Sequence, residues 1–167
     1  NAPVSATDFL QIMGWGDFQS SSGVTVNVDT ALGVPAVWSA VNFLSGTLAG
    51  LPLTVYQKTE AGREKYNGMS SFEWRKYMFE QVLTGGRSVT YIERNAKGEV
   101  VNLYPIDPTD VRVERLTTGR KIYRLDTRVY EAAEVIDIPF MLKANGVDVR
   151  GPIATNRDAI GMAIAAS

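Results

Sequence analysis

Between Asp29 and Tyr56 the chain reads DTALGVPAVWSAVNFLSGTLAGLPLTVY. Val34, Val37, Trp38, Val41, Leu44 and Leu48 recur at spacings of three and four, which is one face of a helix. Asp29 or Thr30 offers an N-cap, and Pro35 suits a first helical turn. Gly50 and Pro52 stop the helix. Leu53 to Lys58 then predict a strand. Burying the six apolar residues contributes at most about 1.5–3 kcal/mol each before entropy is counted. Ser39, Ala40, Gly46 and Ala49 fall elsewhere on the wheel and let another element approach closely. The segment reads as a capped helix that stops sharply and turns into a strand; it packs and carries no chemistry.

The next segments keep the mixed pattern. Ser70-Ser71-Phe72-Glu73 is a capping box, in which a serine hydroxyl covers an orphan amide and Glu73 reaches back. It predicts a helix to about Leu83, with apolar residues on more than one face, closed by Gly85-Gly86. After Gly86 the period becomes two. Strands are expected over Ser88–Arg94 and Glu99–Tyr104 around the turn Asn95–Gly98, with a corner at Pro105–Pro108. A second hairpin follows, Val111–Leu116 and Lys121–Leu125, then a last strand, Val135–Phe140. Lys143–Pro152 reads as a loop and Ile153–Ser167 as a helix. That helix has no capping signal at its end, which predicts that the natural chain continues. Short strands at this spacing suggest a small antiparallel sheet or barrel. The expected class is α+β, with helices packed beside a small antiparallel β subdomain.

Composition removes several functions. The 167 residues include neither cysteine nor histidine. Disulfides, thiolate nucleophiles, imidazole bases and His-ligated metals are therefore excluded within this sequence. Seventeen basic residues face eighteen acidic ones, a net charge of −1. A protein that grips nucleic acid by its phosphates usually carries a basic excess. No apolar run reaches the roughly 18 residues of a membrane helix, because Ser39, Asn42, Ser45 and Thr47 interrupt the nearest one.

Candidates for chemistry fit structural roles better. Asp107 and Asp110 flank Pro108 in a turn. Thr84–Ser88 is Gly-rich, but it follows a helix and precedes a strand, the reverse of a phosphate loop. Glu73 with Glu80, and Glu131 with Glu134, are carboxylate pairs of the kind glycoside chemistry uses, yet a solvated face explains both. The hairpin 111–128 concentrates arginines. Arg112, Arg115 and Arg124 are its candidate contacts to polar partners or nucleic acid, with Tyr123 and Tyr130 available to stack on bases. Phe9, Trp15 and Phe18 lie beside the flexible run Ser20–Gly23. They are expected to be either a short helix with a connector or an arm docking on a neighbouring subunit, and Trp38 is expected to be core or subunit contact.

Taken in order, several motifs resemble the portal proteins of long-tailed, double-stranded DNA phages. They are Thr30–Val41 with Leu51–Tyr56, Met69–Arg75, Tyr91–Arg94 with Gly98, Leu103–Pro108 with Val111, Gly151–Ile153, and Arg157–Ala163. The family usually has a longer stretch between the first strand and the Met69 helix. Here Lys65 runs almost directly into Met69, and the passage at Asp126 and Thr127 is also short. Either this version is deleted there, or the sequence has been closed up across missing segments.

The resemblance implies a non-enzymatic, wing-like α+β segment without a cofactor. It would be organised as an N-terminal arm (1–28), a wing-like domain (29–142) with its β subdomain at about 86–142, and a loop leading into a further helix (143–167). It implies a homo-oligomer, a dodecamer ring, at one capsid vertex of the virion, assembled in the host cytoplasm. The implied partners are terminase, capsid and head-completion proteins, and double-stranded DNA passing through the channel, with no membrane. The alternative is a nucleic-acid- or peptide-binding β module built on the hairpin 111–128.

Overall fold

The computed structural model describes residues 16–52 and 68–167. The predicted strand Leu53–Lys58 lies outside the described residues, as do Phe9 and Trp15. The helices are α1 (Val28–Leu32), α2 (Pro35–Gly50), α3 (Ser71–Thr84), α4 (Pro152–Thr155) and α5 (Arg157–Ala165). The strands are β1 (Phe18–Gln19), β2 (Thr25–Val26), β3 (Arg87–Arg94), β4 (Val100–Ile106), β5 (Val111–Arg115), β6 (Lys121–Leu125), β7 (Arg128–Glu131) and β8 (Val135–Pro139). The chain is α+β, with helices beside small antiparallel sheets.

The expected first helix is two helices, and its cap is corrected. Neither Asp29 nor Thr30 caps it; both lie inside α1, which Asn27 caps. The Asn27 side chain accepts from the Thr30 amide at 2.9 Å, and the Asn27 amide donates back to the Thr30 hydroxyl at 2.9 Å. Pro35 explains the break. It has no amide hydrogen and pushes the residue before it out of the helical region. Val34 accordingly sits extended, at φ −78° and ψ 118°, and α2 begins at Pro35 itself.

The packed face of α2 overlaps the expected one, with Val34, Val37, Val41 and Leu48 half-buried, but it is rotated. Trp38 and Leu44 are exposed, whereas Ser45 and Ala49 are fully buried. The small side chains let a neighbouring element come close, while Val34 and Val37 pack on the core that includes Ala31 and Ile160. In α3 the predicted capping box is present, with the Glu73 amide donating to Ser70 Oγ at 3.2 Å and the Ser70 amide to Glu73 Oε2 at 2.8 Å. Arg75 Nη1 donates to the Leu51 carbonyl at 2.9 Å, so a cation on α3 covers an orphan acceptor at the end of α2.

Gly86 turns the chain from α3 into β3 at φ +92°. A Cβ there would stand 2.8 Å from Gly151 Cα, so only glycine lets these two backbone segments touch. The expected β region consists of two three-stranded antiparallel sheets, ordered β4-β3-β8 and β5-β6-β7. Strand β7 was not anticipated. It follows a two-residue turn, Asp126-Thr127, with Asp126 in the left-handed region at φ +50°. Between the sheets, Val89, Val111, Val113, Tyr123 and Val135 form the larger core. Helix and sheet are joined by Met78, whose sulfur accepts from the Ser88 hydroxyl at 2.8 Å and the Thr90 hydroxyl at 2.9 Å.

Two expectations near the ends are revised. Residues 18–26 form a small hairpin rather than a plain connector, and its turn rests on α5. The Ser21 amide donates to Asp158 Oδ1 at 2.8 Å, and Gly161 leaves the space that Ser20 fills. The predicted helix Ile153–Ser167 is divided into α4 and α5 at Asn156, which leaves helical geometry at φ −104° and ψ 18°. Val26, Ala31, Ile153 and Ile160 form a second core there.

Candidate assembly surface

No cluster suited to hold a metal ion occurs among the described residues. Each carboxylate pair considered from sequence has local partners. Glu73 belongs to the α3 cap, and the Ser70 hydrogen bonds hold its carboxyl below the ordinary range. Glu80 pairs with Lys76 at 3.2 Å. Glu131 pairs with Arg120, and Glu134 accepts from the Glu131 amide at 2.9 Å. These arrangements cap and brace elements; they do not present two carboxylates to a substrate.

The arginine hairpin is similarly balanced. Arg112 and Arg124 face one another across β5 and β6. Glu114 contacts both, at 3.0 Å and 3.4 Å. Arg115 reaches instead toward the loop after β8, where Gly146 leaves room for its guanidinium. The structure therefore brings Arg112 and Arg124 together around an acid and places Arg115 apart from them. Tyr123 is buried in the core. Tyr130 packs against Tyr91, with ring centroids 5.0 Å apart, and Tyr91 stacks on Tyr104. The tyrosines thus knit the two sheets together.

Beneath this surface lies a clasp that the sequence reading missed. Arg87, fully buried at the start of β3, places Nε 3.0 Å from Asp137 Oδ1 and donates from Nη2 to the Val147 carbonyl at 2.6 Å. The Tyr123 hydroxyl donates to Asp137 Oδ2 at 2.9 Å. One buried ion pair thereby fixes β3, β6, β8 and the loop before α4. Burial, then the neighbouring Asp137 charge, pushes the Tyr123 phenol well above its ordinary range, with Arg87 partly opposing. The only sequence signal was a charged residue at the first position of a buried strand.

The exposed apolar surface is the remaining feature. Helix α2 contains no charged side chain in 16 residues. It nevertheless leaves Trp38 56% and Phe43 72% exposed. Trp38 and Val41 wall a cavity of about 520 Å³ between α1, α2 and α3, rimmed by Asp29, Glu80 and Asp107. Asp17 also lines it, next to the half-buried Phe18. A second exposed patch is the run Phe140-Met141-Leu142 just after β8. Three consecutive large apolar residues in water were its sequence signal, and it went unread. Apolar surface of this extent marks sites of association.

Known proteins resemble the chain in both sequence and fold. The sequence model of the phage portal protein family matches residues 35–167. A probable portal protein of Streptomyces phage phiC31 is 28% identical over 198 residues, covering 96% of this chain and 43% of that protein. The portal protein of Enterobacteria phage HK97 is 26% identical over 138 residues, covering 73% of this chain and 30% of that protein. The chain thus spans less than half the length of these curated relatives. Among solved structures, an HK97 family phage portal protein from Corynebacterium diphtheriae superposes with a TM-score of 0.58 at 19% identity, over 77% of this chain and 43% of that one. With the family pattern running through α2, α3, the two sheets and α5, the chain belongs to the phage portal protein family.

Proposed function

We propose that this chain forms part of a ring at one vertex of a phage capsid, through which DNA is packaged and later leaves. The ring is a dodecamer in this reading. Its partners are the terminase motor, the capsid, the head-completion proteins and the DNA in transit. It assembles in the host cytoplasm and ends in the virion. The role is structural rather than catalytic.

The observation that carries this reading is α2, a charge-free helix that exposes Trp38 and Phe43 in a member of the portal family. A lone subunit that leaves such a helix in water is a poor end state, whereas a ring covers the same surface in every copy. The balanced charge supports the same role. A channel component must let DNA slide, and the acid-paired hairpin arginines offer phosphates little net attraction. That pairing also weighs against a nucleic-acid module on 111–128.

Native mass measurement and negative-stain imaging of the protein at the full length of its gene test the proposal. The expected result is a ring with a central hole and the mass of twelve copies. A strict monomer under all assembly conditions overturns it.

A further inference from the structure

A ring closes through a heterologous contact, in which two different patches on each subunit meet. The described residues carry two patches that suit one another, one reached from the end of β4 and one from the end of β8. Strands β4 and β8 lie on either side of β3, and both run antiparallel to it. Asp107 after β4 and Phe140 after β8 therefore emerge at the same end of the sheet, separated by β3. With strands about 4.8 Å apart, that separation is about 10 Å at the sheet.

The first patch is exposed and firmly held. The Phe140 amide donates to the Gly86 carbonyl at 2.8 Å, and the Arg150 amide to the Met141 carbonyl at 2.8 Å. Leu142 bridges Val149. The Phe140–Leu142 tip is thus pinned at three places while Met141 remains 55% exposed. Lys143 and Arg150 flank it, and neither makes an ion pair among the described residues.

The second patch is concave and lies on the β4 flank. Trp38 and Val41 supply its apolar wall, and Asp29, Glu80 and Asp107 its acidic rim. Its volume of about 520 Å³ falls within the range that encloses compact ligands, about 300–1,000 Å³. An apolar tip with two cations beside it matches an apolar-walled hollow with acids around it. Charge of opposite sign steers encounter and fixes register, and the buried apolar groups hold the contact.

The geometry points to a head-to-tail contact in which the Phe140–Leu142 tip of one copy seats in the α1–α2–α3 hollow of the next. This rests on the ring reading above and names the surfaces that make the ring. Lys143 and Arg150 then meet the acidic rim of the neighbouring copy, where Asp29 makes no ion pair among the described residues and Glu80 is already held by Lys76.

Cysteine cross-linking tests it, because these 167 residues contain no cysteine and any cysteine elsewhere in the full-length protein is first changed to serine. Asn42, on the wall of the hollow, and Met141 are replaced together and separately in the full-length protein. The assembled protein is oxidised and run without reductant. The N42C/M141C variant is expected to give a ladder of covalent multimers, and each single variant a monomer band. Met141→Asp is expected to lower the assembled fraction at least tenfold with an unchanged melting temperature. A cross-linked dimer from either single variant means a two-fold contact and overturns the pairing. Absence of a ladder overturns it too, whether Met141→Asp assembles normally or fails and so places the tip against some other surface. If the wild-type protein never leaves the monomer, the ring reading falls and the pairing with it. Assembly without a ladder removes the pairing alone.

Discussion

Arg87 and Asp137 form a buried ion pair on diagonal positions of β3 and β8, with Nε 3.0 Å from Oδ1. The same carboxylate accepts from Tyr123 on β6, so one charge pair joins the two sheets. Desolvating two ions costs several kcal/mol, which good geometry and extra hydrogen bonds offset. Removing one partner leaves the other buried and uncompensated. Asp137→Ala is expected to destabilise the fold by about 3–5 kcal/mol in urea titrations. Replacing both, Arg87→Met with Asp137→Leu, should recover most of that loss. Equal loss in the single and double variants would show that the pair does not act as a unit.

Tyr123 gives the clasp an alkaline limit. Its phenol is raised by burial and by the Asp137 charge. A tyrosine in the unfolded chain ionises near pH 10. Below that pH both states hold the proton and the contribution is intact. As pH rises further, the unfolded chain loses its proton first and the folded state is disfavoured. Tyr77 is raised as well, by burial and by the Asp107, Asp110 and Glu80 charges. Tyr123→Phe should therefore reduce the loss of stability between pH 9 and 11 without abolishing it. An unchanged alkaline limb would remove Tyr123 from the account.

The cap of α3 sets a limit at the other end. Glu73 is held below its ordinary value of 4.5 by hydrogen bonds from Ser70. A lowered carboxyl contributes above its unfolded value and loses that contribution as pH falls through the folded one. Ser70→Ala is expected to cost about 1 kcal/mol at neutral pH. It should also reduce, without removing, the Glu73 share of the acid sensitivity below about pH 4.5, because the Ser70 amide still donates to the Glu73 carboxylate. Urea midpoints at pH 7 and pH 3.5 for both proteins read this directly: the difference should narrow in acid.

This cap was legible in the sequence because it is local: serine and glutamate three residues apart suffice. The Asn95–Gly98 turn and the strand at Val135 were legible for the same reason. The burial of α2 was not, because periodicity reports which residues share a face, not which face finds a neighbour. The helix packs through Val37, Ser45 and Ala49 and leaves Trp38 and Leu44 out. Pro35 carried the signal for the break between α1 and α2, but a first-turn proline is compatible with one helix or two. Strand β7 was hidden because its turn, Asp126-Thr127, lacks glycine. The clasp was least legible, since Arg87, Tyr123 and Asp137 meet only in three dimensions.

Two glycines with left-handed backbone separate conformation from contact. Gly86 at φ +92° lies against the Gly151 backbone, whereas a side chain at Gly98, φ +81°, would meet nothing within 4 Å. Gly98→Ala should cost only its backbone strain, about 1–2 kcal/mol. Gly86→Ala should cost more, because α3, β3 and the segment before α4 must separate. Chemical denaturation of both variants gives the difference, and equal losses would mean that the Gly86–Gly151 approach adds nothing.

Trp38 tests whether α2 offers a surface for assembly or only a surface of the fold. More than half of it is exposed, so Trp38→Ala should change subunit stability by no more than about 0.5 kcal/mol. In an assembled ring the same truncation removes a large aromatic group from a covered hollow, and aromatic residues dominate such contacts. The assembled fraction should therefore fall while the melting temperature of the subunit stays put. Trp15→Ala and Phe18→Ala extend the comparison to the arm. Phe18 is half-buried in the hairpin that rests on α5, so its truncation is expected to lower both readouts, assembly the more. Sedimentation beside thermal melting separates the cases. If Trp38→Ala lowers stability and assembly in parallel, the indole is ordinary core, and α2 faces its own chain rather than the next copy.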